Sequence, residues 1–208
     1  MKTLFILLLV VIIGTGTSTF SQTVSIGTQE WMTMNLDVST FRNGDPIPEA
    51  QTINQWKKAG KKGKPAWCNY NNDQKNGAKY GKLYNWYALS DPRGLAPIGY
   101  HIPSYVEWKI LVEYLGGGNV ADNKIKSSSD WYNNYNGNNS TGFSGLPGGY
   151  CDDYGAFGYE HLYGYWWSST EENIKIAKCF YLAHERGKGD RGDALHKAKG
   201  VSVRCLRD

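Results

Sequence analysis

The segment Gly142-Phe-Ser-Gly-Leu-Pro-Gly-Gly-Tyr150 is dense in glycine and ends on an aromatic residue. Two later segments share this character: Gly164-Tyr-Trp-Trp-Ser-Ser-Thr170 and Gly200-Val-Ser-Val-Arg-Cys-Leu-Arg-Asp208. Each predicts a short strand bounded by glycine turns, with large aromatic side chains on one side. None of the three carries an obvious catalytic group. These segments therefore indicate a fold more clearly than they indicate a chemistry.

The N-terminus has the layout of a secretory signal peptide. A short basic lead precedes the apolar run Leu4–Ile13, and small polar residues follow as far as Ser21. Ten apolar residues are too few to cross a membrane. We therefore expect cleavage after Ser21 and export of residues 22–208 as one domain, either secreted or held at the outer cell surface. The sequence predicts no transmembrane segment after the signal peptide.

The composition favours short strands and many turns. The 208 residues include 25 Gly, 15 Tyr and 8 Trp, and the formal net charge is +4. Because no stretch is strongly basic, we expect no nucleic-acid partner. A chain of this length can bury one substantial core. Helical patterns gather in the first half and strand patterns in the second, which predicts the α+β class.

Two helices and one long strand stand out along the chain. Thr52–Ala59 predicts a helix that Gly60 ends. Ser104 and Glu107 have the spacing of a capping box at the start of a second helix. In the second half, Ile174–His184 predicts a strand.

Four cysteines occur, at positions 68, 151, 179 and 205. In an exported protein an even number of cysteines predicts disulfides, and four cysteines allow three pairings. Their spacing does not match that of a zinc site.

The sequence offers one candidate metal or acid–base group and no convincing catalytic set. The group consists of Asp152, Asp153, Glu160 and His161, whose turns could converge. Calcium would suit such oxygen ligands, although acidic pairs in glycine-rich loops are more often only solvated. We expect no other cofactor. No Ser/His/Asp arrangement suggests hydrolysis.

Several aromatic residues lie in polar segments, where they cannot all belong to a core. We take them as candidate ligand-binding residues: Trp131, Tyr132, Tyr135, Tyr154, Tyr159 and Tyr163. A ring can stack on a sugar or anchor a protein partner while neighbouring Asn and Asp supply hydrogen bonds. The alternative is that these rings only cover and stabilise their own loops.

Successive blocks of the chain resemble the Fibrobacter succinogenes major paralogous domain. The early blocks are Ile26–Leu36, Phe41–Pro48, Lys79–Tyr87 and Arg93–Pro103. The later blocks are Gly142–Tyr150, Tyr165–Thr170 and Ser202–Asp208. The resemblance covers nearly all of residues 22–208, in order. It implies a C-type-lectin-like fold, with two main helices packed on small antiparallel sheets, exported by bacteria.

The resemblance also guides the cysteine pairing and the function. Many members carry Cys where this chain has Ala96, so the expected partner of Cys205 becomes Cys68, and Cys151 is expected to pair with Cys179. In lectin-like folds the long loop before the later strands is the usual ligand site, and residues 127–163 would supply it. We therefore expect a non-enzymatic surface module that binds a glycan or a protein. The alternatives are an enzyme on this scaffold, either of the sulfatase-modifying type or a hydrolase, and a purely structural adhesion module.

Overall fold

The computed structural model describes residues 22–185 and 192–208, so the predicted signal peptide lies outside the described residues. The helices are α1 (Ile53–Lys61), α2 (Gln74–Tyr80), α3 (Trp86–Leu89), α4 (Tyr105–Tyr114) and α5 (Gly118–Ile125). The first strands are β1 (Thr23–Ile26), β2 (Gln29–Met32), β3 (Trp67–Cys68), β4 (Leu83–Asn85), β5 (Tyr100–His101) and β6 (Gly148–Cys151). The later strands are β7 (Phe157–Glu160), β8 (Tyr163–Glu171), β9 (Ile176–Ala183), β10 (Gly192–His196), β11 (Gly200–Val201) and β12 (Leu206–Arg207).

The strands form two sheets, and the α+β class is confirmed. A four-stranded antiparallel sheet has the order β1-β2-β12-β5. The second sheet has the order β10-β9-β8-β6-β11-β4-β3, and β7 pairs with β6. This larger sheet is mixed, because β6 runs parallel to β8. The expectation of two main helices and small antiparallel sheets is therefore only partly right, since four helices among the described residues span seven residues or more.

Strands β8 and β9 separate two hydrophobic clusters because neighbouring residues on a strand point to opposite faces. On one face Tyr165 and Trp167 belong to the first cluster. On the other face Trp166 and Phe180, which pair across the strands, belong to the second cluster with Trp108 of α4. A third cluster lies beneath α1 and includes Trp56, Cys68 and Cys151.

Helix α4 begins as the sequence predicts. The Ser104 hydroxyl accepts from the Glu107 N–H, and the Glu107 carboxylate accepts from the Ser104 N–H at 2.7 Å, so the capping box is formed. Glu107 also contacts His101 Nε2 at 2.9 Å, while Asp208 contacts His101 Nδ1 at 2.8 Å. The C-terminal residue is thereby tied to the start of α4.

Arg204 joins the glycine-rich segment Gly142–Tyr150 to the end of the chain. Its buried guanidinium donates to the carbonyl of Phe143 at 2.6 Å, to that of Met32 at 2.9 Å and to Asn35 Oδ1 at 2.7 Å. Burial lowers the pKa of Arg204 to about 9, which still leaves it charged at neutral pH. One side chain thus fixes Gly142–Tyr150 against the terminal strand and the turn after β2.

Neither predicted disulfide is formed. All four cysteines are buried free thiols. Cys151 on β6 faces the third cluster, whereas Cys179 on β9 faces the first, and β8 lies between their strands. Cys68 and Cys205 are likewise divided between the third and first clusters. The burial pattern instead places Cys68 in the same cluster as Cys151, and burial together with the Cys151 thiol raises the pKa of the Cys68 thiol.

Candidate functional site

A contiguous set of tyrosine rings continues the first cluster towards solvent. We call it the tyrosine row, and its members are Tyr150, Tyr159, Tyr163, Tyr165, Tyr181, His184, Tyr132 and Tyr135. Ring centroids lie 5.2 Å apart for Tyr150 and Tyr159, and 5.1 Å apart for Tyr159 and Tyr163. From Tyr163 the row branches to Tyr165 at 5.6 Å and to His184 at 6.1 Å.

Strands β8 and β9 fix the centre of the row. Tyr163 and Tyr165 are two residues apart on β8 and therefore share a face of the sheet. Tyr165 pairs directly with Tyr181 on β9, and their ring centroids are 5.9 Å apart. Because both strands are held by the cores on either side, these three rings have a rigid support.

The β6–β7 hairpin supplies Tyr150 and Tyr159. Gly149 lies between the paired residues with a φ of +62°, and a Cβ there would come within 2.3 Å of the Gly158 carbonyl oxygen. Only glycine permits this close approach of the two strands. Tyr159 itself has a φ of 64°, a conformation that bulky side chains rarely adopt. Strain of this kind is concentrated at binding and catalytic sites.

His184 links the strands to the loop that the sequence singled out. Its ring contacts Tyr132 at 5.9 Å and Tyr135 at 6.2 Å, both edge to face. The loop is held from the other side, because the Tyr132 N–H donates to the His161 carbonyl at 2.9 Å. The His184 Nδ1 is buried and has no hydrogen-bond partner among the described residues.

The row combines exposed rings with neutral hydroxyl groups. Tyr132, Tyr159 and Tyr135 expose 52%, 46% and 42% of their surface, whereas Tyr165 is buried at the base. Burial raises the pKa of Tyr150 and also that of Tyr165, so both phenols remain protonated hydrogen-bond donors at neutral pH. The Lys199 ammonium lies 4.7 Å from the centre of the Tyr150 ring. Flat apolar faces edged by polar donors suit a ligand that is itself amphipathic.

The structure brings together four of the six predicted aromatic residues: Tyr132, Tyr135, Tyr159 and Tyr163. The other two lie apart from the row: burial of Trp131 leaves no ring face open to a ligand, whereas Tyr154 stays a candidate ligand-binding residue. Trp131 is 3% exposed and belongs to the second cluster, and its Nε1 donates to Ser127 Oγ at 3.1 Å. Tyr154 is exposed, but it lies beside Lys57 of α1, at 5.8 Å from the ring centre.

Sequence reasoning missed the four members of the row that come from strand ends: Tyr150, Tyr165, Tyr181 and His184. One available signal was the alternation of Tyr163 and Tyr165 around Gly164, which places both rings on one face. The rings that pack on that face come from β6 and β9, and the way these strands pair with β8 could not be predicted from the sequence.

The predicted acidic group is not assembled. Asp152 caps the turn between β6 and β7, where its carboxylate accepts from the N–H groups of Tyr154 and Ala156. Glu160 and His161 lie at the opposite end of β7, and the His161 Nδ1 contacts the Asp130 carbonyl at 2.7 Å. Residues 22–185 and 192–208 contain no group of three or more side chains suited to a metal ion. The hydrogen bonds of Asp152 give that residue a structural role in the turn.

A shallow depression of about 330 Å³ adjoins one end of the row. Tyr135 lies at its edge, and Asn136, Asn138 and Lys126 are among the side chains that line it. Amide and ammonium groups there add hydrogen-bonding capacity beside the rings. Within the two described ranges, no helix has the length and apolar composition that a membrane crossing requires.

Comparison with known proteins yields one match. A family model described as the Fibrobacter succinogenes major domain matches residues 24–207. No curated protein and no solved structure matches the chain. Since the matched region covers most of the sequence, the chain belongs to the Fibrobacter succinogenes major domain family.

Proposed function

We propose that this protein is a non-enzymatic carbohydrate-binding module that holds a glycan on the tyrosine row. The observation that carries the proposal is the contiguity of the rings, from Tyr150 through Tyr159 and Tyr163 to His184 and the Tyr132–Tyr135 loop. A core needs no such extension into solvent, and large exposed apolar patches mark interaction sites.

The chemistry of the row matches the two faces of a sugar. Aromatic rings pack against the C–H face of a pyranose, while phenol hydroxyls exchange hydrogen bonds with sugar hydroxyls. Tyrosine has few rotatable bonds, so ordering it on binding costs little entropy. The rings of Tyr163 and Tyr165 are already fixed by stacking at an interplanar angle of 14°, which reduces that cost further.

The strained backbone at Tyr159 supports the same interpretation. A tyrosine at positive φ is costly, yet this conformation places its ring 5.1 Å from Tyr163 and 5.2 Å from Tyr150. The ring thereby continues the row without a gap. A glycan that spans several rings gives this geometry a use.

The location and the alternatives follow from the sequence features. A signal-peptide layout at residues 1–21 favours a secreted protein or one exposed on the outer cell surface.

Thiol-dependent catalysis of the sulfatase-modifying type needs an accessible thiolate. Burial raises the pKa of the Cys68, Cys179 and Cys205 thiols, which argues against that alternative.

The direct test is a screen of purified protein against a glycan panel, followed by calorimetric titration of each hit. We expect saturable binding that Tyr163→Ala weakens by roughly tenfold or more, as removal of a central aromatic contact does. Tyr154→Ala is the matched control, because Tyr154 is 66% exposed and lies outside the row. The Tyr154→Ala variant should bind the glycan with the same affinity as the unmodified protein.

Two outcomes would overturn the proposal. One is equal loss of affinity in Tyr163→Ala and Tyr154→Ala. The other is no glycan binding in the panel together with capture of a protein ligand that sugars do not displace, which would favour the adhesion module.

A further inference from the structure

The third cluster holds two thiols that the sequence did not pair. Cys68 on β3 and Cys151 on β6 each expose 1% of their surface and belong to one buried cluster, and burial together with the neighbouring Cys151 thiol raises the pKa of the Cys68 thiol. Both lie among Trp56, Tyr70 and Leu83. The fold places them in the same cluster, although they lie far apart in the sequence.

We propose that Cys68 and Cys151 form a disulfide in the exported protein, while Cys179 and Cys205 remain buried free thiols. The proposal uses the expected location outside the cytoplasm, where disulfides persist. It does not depend on the glycan ligand. It replaces both pairings that the resemblance implied.

The position of the bond gives it a structural role. Strand β3 is two residues long and is the last strand in the order of the larger sheet, where it pairs with β4 and, on its other side, forms an isolated bridge from Trp67 to Glu49. A bond from Cys68 to β6 would tie this strand to the hairpin that carries Tyr150 and Tyr159. Because the bond closes a long loop, it also restricts the unfolded chain strongly.

The chemistry requires an external oxidant and an open cluster. We assign the oxidant to the class of disulfide-exchange proteins, with oxidised glutathione as the laboratory equivalent. One cysteine thiolate attacks the oxidant disulfide and releases one sulfur as a thiolate. The second cysteine then attacks the mixed disulfide and releases the other sulfur. The two electrons and two protons lost by the cysteines thus reside on the reduced oxidant.

The oxidation belongs to folding rather than to the folded state. Burial raises the pKa of the Cys68 thiol, and neither sulfur is accessible once the cluster has closed. The thiolate needed for attack is therefore available only while α1 and β3 are still undocked. In the closed cluster the bond is then protected from reductants.

Peptide mapping tests the pairing. The full chain is refolded with reduced and oxidised glutathione, alkylated without reduction in denaturant, and digested with trypsin. We expect Gly63–Lys75 joined to Ser127–Lys175, with a mass lower than the sum of the two by two hydrogen atoms. Cys179 and Cys205 should carry the alkyl group. Alkylated Cys68 and Cys151, or a bond to Cys179 or Cys205, would overturn the proposal.

Thermal unfolding supplies a second readout. Dithiothreitol present throughout refolding should lower the Tm of the unmodified chain by about 5–15 °C, the range for one unstrained disulfide in a domain of this size. The double variant Cys68→Ala/Cys151→Ala should show no such difference. A Cys205→Ala variant, which removes an unpaired buried thiol, should retain it. An equal response in all three proteins would contradict the assignment. Loss of glycan binding alone, with the linked peptides intact, would bear only on the proposed function.

Discussion

The molecule contains two contiguous aromatic assemblies, and they lie on opposite faces of the same pair of strands. The aromatic core of the second cluster consists of Trp31, Trp108, Phe143, Trp166 and Phe180, none of them more than 1% exposed. The tyrosine row begins one residue away on each strand, at Tyr165 and Tyr181. Both assemblies show stacked and edge-to-face contacts, so ring geometry alone does not distinguish scaffold from candidate site.

The difference lies in burial and in the chemistry of the rings. The core uses Trp and Phe, whose surface is almost wholly removed from water. The row uses Tyr, whose hydroxyl groups can remain in contact with solvent or with a ligand. If the proposed function is right, one β8–β9 ribbon serves stability on one face and binding on the other. The two functions should therefore respond separately to substitution.

The largest expected effect is on the core face. Trp108 stacks on Phe180 at 4.5 Å and contacts Trp31 at the same distance. Trp108→Ala would leave a large cavity and should lower the free energy of unfolding by about 3–5 kcal/mol. Denaturant titration followed by circular dichroism measures the change. A loss below about 1 kcal/mol would show that this cluster does not dominate stability.

Trp131 provides a sharper division, because it lies in the loop of the row but packs into the core. Trp131→Ala should cost about 3 kcal/mol of stability. Glycan affinity, measured at a temperature where the variant is fully folded, should stay within about twofold of the unmodified protein. Tyr163→Ala, for which the expected effect is a loss of glycan affinity, serves as the comparison variant. A tenfold loss of affinity in folded Trp131→Ala would move Trp131 into the binding site.

Local signals in the sequence predict the elements of the fold well. The capping box at Ser104 and Glu107 depends on residues three positions apart, and it forms as predicted. The strand predicted at Ile174–His184 is found at Ile176–Ala183. In each case neighbouring residues decide the outcome, so tertiary context is not needed.

Tertiary neighbours decide what the sequence could not predict. Trp131 lies in a polar loop, but it is buried in the second cluster, whose members Ile125 and Leu182 come from α5 and β9. Cys68 and Cys151 share a cluster with Trp56 although β11 and β4 lie between their strands in the sheet, and no local pattern specifies that arrangement. Tyr181 enters the row only through its register with Tyr165. Composition can mark a loop as aromatic, but it cannot determine which rings are covered.

Tyr159 tests whether strain in the row serves binding. Because its φ of 64° suits glycine, Tyr159→Gly should relieve strain and change stability by no more than about 1 kcal/mol, in the stabilising direction. Glycan affinity should fall, since the ring joining Tyr150 to Tyr163 is lost. Tyr159→Ala separates the two effects, because it removes the ring but keeps the strained backbone. Equal stability of the Gly and Ala variants would contradict the strain argument.

The smallest effect on stability is expected at Tyr132, the most exposed ring of the row. Tyr132→Ala should change the free energy of unfolding by less than about 0.5 kcal/mol, because about half of this side chain remains exposed to solvent. If the row binds a glycan along its length, affinity should nevertheless fall, and more for long oligosaccharides than for short ones. Titration with a series of chain lengths measures this difference. A loss independent of chain length would place Tyr132 at the centre of a compact site, and no loss would confine binding to Tyr150, Tyr159 and Tyr163.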